Sequence, residues 1–457
     1  MKSISIIGRG SIGLLTALEL HKQYPEIEIT LYGEKSKYSA SYAAGAMINI
    51  LSEIDCFNVD LPITKWKLKN RSSAIKAWDK LNDYLIDKKI VDKSIFTSFG
   101  TRMSLIESSI NECEKNSFDS VIRAAKEFEI DIDLENKGNE QSILIRDEHS
   151  VDSNHLLGSI DDYLNKQITV IDHNVDSIEK NQSDNSWVVQ DSKGNIRKYD
   201  AVVIACGSWS EKLIAKSKGI SLPKVQSFYG IGCALLVKSQ MSHLENPKLT
   251  EIKRTPNRGG TCGIHGVQRN NSVYVGASSH VSHKDLRSPN PESIRVLIEG
   301  TQKFLDINTA AFALGYEIAM GYRPVTSDHV PIIGSLSDNL FCLYGTKRDG
   351  LTWAPYYSEF LVKNIFGESA NNWDELLDLC SPYRNHISAG DIDECIDLYL
   401  LTKEWEDYQH NQIFDDNKKK RLRMMAERAH EFINKDSEKN IGLNPEIINV
   451  MYYRNCV

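Results

Sequence analysis

Apolar positions along the first thirty residues change period twice. The run I-S-I-I (Ile4–Ile7) reads as a buried strand, and Leu14, Leu15, Leu18 and Leu20 fall close to helical spacing. Between them lies G-R-G-S-I-G, with glycines at 8, 10 and 13. A second strand is expected over Ile27–Tyr32 in E-I-E-I-T-L-Y-G-E-K. Beyond it, Trp66, Ala74, Ala77, Trp78, Leu81, Tyr84 and Leu85 keep helical spacing within Lys65–Lys89. The segment I-F-T-S-F-G-T-R-M-S-L then reads as a strand, and Ser117–Phe128 as a helix. Two or three strands are expected between Gln167 and Asp200, with a hairpin at Lys193-Gly194-Asn195. The apolar A-V-V-I-A that follows runs into another glycine turn, C-G-S-W-S. No internal repeat and no low-complexity segment interrupts this order.

Strand, glycine turn and helix in that order suit a dinucleotide phosphate. Gly8 would make the tight turn, Gly10 would let a pyrophosphate approach the backbone, and Gly13 would let helix and strand pack closely. The free N–H groups at the helix start, around Ser11 and Ile12, would face the phosphates together with the positive end of the helix dipole. Glu34 lies 34 − 13 = 21 residues past Gly13, about where a carboxylate accepts hydrogen bonds from the adenosine ribose.

Composition narrows the class. A chain of 457 residues with 41% hydrophobic content is globular and large enough for two or three domains. A formal charge of −8 argues against nucleic-acid binding, which draws its affinity from clustered Lys and Arg. Nine cysteines without a C-x-x-C pair or a metal-spaced histidine read as reduced thiols, with no metal site and a cytoplasmic location expected. No apolar run reaches the ~18 residues of a membrane span. Small molecules are therefore the expected partners, with an oligomer open. After about Gly367 the chain is acidic and basic by turns with helical periodicity, and its one basic helix, K-K-K-R-L-R-M-M-A-E-R, suits a solvated face.

Three further blocks sharpen the picture: S-A-S-Y-A-A-G-A-M (Ser39–Met47), G-Y-R-P-V-T-S-D-H-V-P-I-I-G (Gly321–Gly334) and L-F-C-L-Y-G-T-K-R-D-G-L-T-W-A-P (Leu340–Pro355). With the glycine turn they form an ordered set over roughly the first 365 residues that resembles the D-amino acid oxidase and glycine oxidase superfamily of FAD-dependent amine oxidases. The resemblance implies an α/β protein with a Rossmann-like FAD-binding domain, a mixed-sheet α+β substrate domain and a helical C-terminal extension. The FAD domain would be discontinuous (1–50, 145–215 and 316–366), with 51–144 and 216–315 forming the substrate part and 367–457 the extension. Gly8, Gly10, Ser11, Ile12, Gly13 and Glu34 would hold the ADP half, and Ser39, Ala43, Ala44, Gly45 and Met47 would line the flavin. Val175 would contact adenine, and Gly207 and Trp209 would return the chain to the cofactor. Asp349, Gly350, Leu351 and Thr352 would open the last family helix toward the flavin, beside Lys347 and Arg348.

The implied chemistry is oxidation of a small amino acid or N-substituted amino acid. Hydride would leave Cα for flavin N5, the imine would hydrolyse in water, and dioxygen would return the reduced flavin to its oxidised state, itself becoming hydrogen peroxide. Arg323 would grip the substrate carboxylate, because a planar guanidinium can do so through two parallel hydrogen bonds. The chain departs from the family where relatives carry a tyrosine in Y-x-x-P, since C-G-I-H-G (Cys262–Gly266) stands there. His265, Tyr322 and Tyr229 are the candidate replacements, and Arg254 and Arg258 are candidates for a second anionic group. Cys342 is a candidate for covalent flavin attachment. Two other readings stay open: a dehydrogenase of the same fold that passes electrons from a 2-hydroxy acid or secondary amine to an acceptor other than oxygen, and an FAD-binding scaffold whose helical tail binds a partner.

Overall fold

The computed structural model describes residues 1–106, 112–241, 245–258, 262–304, 314–368, 373–409, 412–435 and 440–456. Its centre is a six-stranded sheet in which Ser3–Ile7 is flanked by Glu28–Tyr32 and Ala201–Ile204, both parallel to it. Thr169–Ile171 closes one edge, and Leu340–Tyr344 with antiparallel Ile332–Ser337 closes the other. The inner strands are buried on both faces, which is why their sequences read as continuous apolar runs rather than alternating ones. Helices Ser11–Gln23 and Ala354–Ile365 pack together on one face, where Trp66, Trp353, Tyr356 and Tyr357 form an aromatic cluster. A three-stranded antiparallel sheet, Val175–Lys180, Trp187–Asp191 and Ile196–Tyr199, flanks the other face through the expected Lys193-Gly194-Asn195 turn.

The second layer is a large mixed sheet. Its longest pairing joins Ser227–Ser239 to Leu314–Thr326 over thirteen residue pairs, and Phe96–Ile106 pairs with Glu140–Val151. Met47–Ile48 adds to the same sheet through His149 and Ser150. Glu140–Val151 and Leu314–Thr326 both belong to this sheet from end to end. The periodic stretch Lys65–Lys89 forms two helices, Pro62–Lys69 and Arg71–Asp87, with Asn70 between them.

The extension is packed into the body. Helices Ile392–Gln409, Asp416–Asn434 and Pro445–Cys456 share a core with Phe228, Val281 and Val325 of the large sheet. Arg384 donates two hydrogen bonds to the fully buried carboxylate of Asp328 at 2.9 and 3.1 Å and a third to the Val330 carbonyl. Among the described residues no helix is long and apolar enough to cross a membrane.

Candidate active site

A cavity of about 620 Å³ runs between the two layers. At one end stands the glycine turn. Gly8 has φ +128°, and a Cβ there would lie 2.2 Å from the Ala205 carbonyl oxygen. A Cβ on Gly13 would lie 1.8 Å from the Gly8 carbonyl oxygen, so only glycine lets this helix seat on this strand. Gly10 differs, because nothing approaches its missing Cβ closer than Ser41 Oγ at 3.1 Å and the residue faces the cavity. Gly10, the residue before the helix, supplies no side-chain cap; the Ser11 N–H, expected to be free, donates to Ser41 Oγ at 3.0 Å, and the positive end of the helix dipole lies at the cavity. Ser11, Ile12 and the exposed carboxylate of Glu34 line the same end. Arg9 is turned into the protein, where Asp161 accepts from it at 2.6 and 2.9 Å. These features suit the ADP half of a dinucleotide: the positive end of a helix for the diphosphate and an acid for the ribose.

Further along the cavity come Ser39, Ala43, Ala44, Gly45 and Met47, with Val175 from the small sheet, and Gly207 and Trp209, the latter packed on Tyr229 and Tyr322 of the large sheet. Gly45 leaves room for aromatic rings: a Cβ there would press on Tyr274 at 2.8 Å and on His265 at 3.2 Å. Arg348, Gly350 and Leu351 also line the wall. Asp349 and Thr352 do not: Asp349 pairs with Lys67, and the buried Thr352 hydroxyl donates to the Met47 carbonyl at 3.2 Å. Both brace the wall from behind. Cys342 is wholly buried in the apolar cluster behind the strand and does not line the cavity.

Arg323 projects into the other end of the cavity from Leu314–Thr326. Its Nη1 donates to the Ser278 carbonyl at 3.1 Å. Of the four arginines on the wall, Arg9 pairs with Asp161, Arg287 lies 3.9 Å from Asp285, and Arg348 pairs with Glu53 and Asp55 at 3.3 Å each. Arg323 has no carboxylate partner among the described residues. Asp328, its nearest acid in sequence, is held by Arg384 instead. Facing Arg323 are His265 and Tyr274, two rings stacked with centroids 5.7 Å apart. Burial, helped by the neighbouring Arg254 charge, pushes the His265 pKa down to about 3, so this ring is neutral at physiological pH. Burial raises the Tyr274 phenol to about 12, which keeps its proton in place as a donor.

The remaining candidates occupy other settings. The Tyr322 hydroxyl donates to the Leu286 carbonyl at 2.9 Å, and its ring joins Tyr38, Trp209 and Tyr229 in an aromatic group. Arg254 is sealed in the interior by Glu53 at 2.9 Å and Asn257 at 2.8 Å, while Arg258 binds Glu114 at 2.7 Å, and neither lines the cavity. Lys347, at φ +50°, reaches the cavity and is held from behind by Glu446 at 2.6 Å and His329 at 3.0 Å. Tyr274, Glu53, Gly232 and Glu446 were not legible in the sequence. The run S-V-Y-V-G is apolar at every central position, so its alternation does not mark which face Tyr274 takes.

Comparison with known proteins agrees with this geometry. The family model of the FAD dependent oxidoreductases matches residues 3–363, and the chain belongs to that family. It is an FAD-dependent oxidoreductase. Among solved structures it is similar to glycine oxidase from Geobacillus kaustophilus, with TM-score 0.66, 18% identity and coverage of 81% of this chain and 96% of that one. Iminodiacetate oxidase from Chelativorans sp. BNC1 is similar at TM-score 0.66 and 17% identity, covering 83% and 99% of the two chains. A curated relative, the tRNA 5-methylaminomethyl-2-thiouridine biosynthesis bifunctional protein MnmC of Vibrio campbellii, is 25% identical over 231 residues, 43% of this chain. The match spans 31% of that relative's length.

Proposed function

We propose that the protein oxidises a small amino acid or N-substituted amino acid at the carbon next to its carboxylate. The observation that carries this reading is Arg323, the wall arginine without a carboxylate partner among the described residues. A partly buried guanidinium lacking a counter-ion is unfavourable, and a substrate carboxylate supplies one through two charge-assisted hydrogen bonds. Tyr274, protonated and facing the same space, is placed to donate to that carboxylate in the role expected of the missing family tyrosine. Neutral His265 adds no positive charge, so a substrate amine meets no repulsion from it.

FAD, when bound, would supply the two-electron oxidant, taking up as one hydride both electrons that leave the substrate carbon. What this chain would contribute is orientation: Arg323 and Tyr274 would fix one end of the substrate. Glycine oxidase and iminodiacetate oxidase are named for small carboxylate-bearing amines, which supports the substrate class. Dioxygen is the proposed electron acceptor. The test is an anaerobic screen of amino acids and N-carboxymethyl amines for loss of flavin absorbance, followed by a peroxide assay in air. Bleaching by 2-hydroxy acids alone would overturn the reading, and bleaching without peroxide would assign the enzyme to the dehydrogenases.

A further inference from the structure

Residues 364–457 lie beyond the family match, yet one of their side chains holds a residue of the cavity wall from behind. Helix Pro445–Cys456 carries Glu446 in its first turn, and the side chain is 6% exposed. One oxygen accepts from Ser279 Oγ at 2.8 Å. The other lies 2.6 Å from Lys347 Nζ and 3.6 Å from His329 Nε2. Two of these contacts, those of Ser279 and Lys347, lead to Arg323. Ser279 follows Ser278, whose carbonyl accepts from the guanidinium, and the Lys347 backbone N–H donates at 2.7 Å to Pro324, the next residue after Arg323. Lys347 and His329 both have positive φ, at 50° and 58°, in the left-handed region that non-glycine residues seldom adopt. Both face the same carboxylate.

We propose that Glu446 is a positioning residue of the active site, supplied by the C-terminal extension: it fixes Lys347 against the cavity wall and balances its charge beside the cofactor. The other cation on this stretch is balanced in the same way, since Arg348 is paired with Glu53 and Asp55. The stretch thus presents nearly neutral pairs to the cavity, and of the wall arginines Arg323 is the one without a carboxylate partner among the described residues. The proposal rests on FAD occupying the cavity and does not depend on the identity of the substrate.

The test is the midpoint potential of FAD bound to the full-length protein, measured without substrate. Glu446→Gln keeps an oxygen for Ser279 and removes the charge. The unbalanced Lys347 cation then favours the reduced, more negative cofactor, and the potential should rise by the equivalent of about a tenfold shift in the oxidised-to-reduced ratio, about 30 mV for a two-electron couple. Lys347→Met leaves the carboxylate unbalanced and should lower the potential by a similar step. The double variant should return close to wild type. A purely structural contact would not give shifts of opposite sign that cancel. If Glu446→Gln does not fold, a fall in Lys347→Met still supports the proposal. An unchanged or raised potential in Lys347→Met, or shifts of the same sign in both variants, would overturn it.

Discussion

Arg323 lies flat across Gly232 on the neighbouring strand: a Cβ at 232 would come within 2.4 Å of both terminal nitrogens of the guanidinium. The bare backbone of one strand is therefore the shelf on which the guanidinium of the other, proposed to bind the substrate carboxylate, rests. Gly230, paired directly with Arg323, is similarly constrained, with Val325 filling the space of its missing Cβ at 2.6 Å.

Gly232→Ala should accordingly displace the guanidinium while leaving the cofactor end of the cavity intact. A misplaced orienting group can cost on the order of a hundredfold in rate. We expect the rate of flavin reduction at low substrate to fall by one to two orders of magnitude, with the FAD spectrum and stoichiometry unchanged. Wild-type reduction rates would mean that the carboxylate does not bind at Arg323.

Arg323→Lys keeps the charge and loses the two-pronged geometry. One charge-assisted hydrogen bond is worth about 1.5–3 kcal/mol, so flavin reduction should slow by about one to two orders of magnitude. Arg323→Ala should be slower still, because the substrate carboxylate would be buried without a countercharge. Stopped-flow measurement of flavin bleaching separates the three proteins.

The three glycines of the first turn should fail in different ways. Gly13→Ala drives a methyl group into the Gly8 carbonyl and should destabilise the fold itself by roughly 1–3 kcal/mol or more, read as a lower urea midpoint with or without cofactor. Gly10→Ala places its methyl beside Ser41 and the cavity, so the apoprotein should keep its urea midpoint while FAD affinity falls at least about tenfold, roughly 1.4 kcal/mol. Equal loss of apoprotein stability in both variants would contradict the assignment of Gly10 to the cofactor.

Stability should decline on acidification in two stages. The folded His265 pKa, about 3, lies below its ordinary 6.5, so from pH 6.5 downward the unfolded chain takes up a proton that the folded one refuses. The fold loses about 1.4 kcal/mol per pH unit for each such histidine. His329, buried beside Lys347, shifts in the same direction. Despite burial, Glu53 and Glu446 are held at about 2 by the cations around them, so their contribution is present above pH 4.5 and is lost as pH falls through about 2. In His265→Asn, the slope of unfolding free energy against pH between 6.5 and 4.5 should be shallower than in wild type. An identical slope would show that the ring titrates normally.

Arg384→Ala tests whether the extension is needed by the body. It leaves the Asp328 carboxylate buried with its principal partner gone, which costs about 3–5 kcal/mol when one half of a buried pair is removed. A large drop in the denaturation midpoint is expected. Truncation after Gly367 removes Arg384 and Glu446 together and should cost still more, with FAD retention weakened. A truncated protein as stable as the full chain would make the extension an independent layer.

The legible part of this protein is local. Strand, glycine turn and helix follow from apolar period and from the absence of a Cβ at Gly8 and Gly13, and both properties are written in consecutive residues. The ordered blocks that mark the family are likewise short segments whose backbone shape serves a cofactor, so FAD dependence could be read before any contact was known. Whether an arginine is free or paired is decided by partners far away in the chain. Arg254 and Arg323 look alike in sequence, yet Glu53, about two hundred residues distant, neutralises the first, while Arg384 takes the acid that could have neutralised the second. Tyr274 and Glu446 belong to the same category: a strand apolar on both sides and a helix outside the family match carry no mark of direction, and only packing turns Tyr274 into the cavity and Glu446 onto Lys347 behind its wall. Short-range chain geometry thus determined the cofactor site, and long-range charge pairing decided which side chains remain available to a substrate.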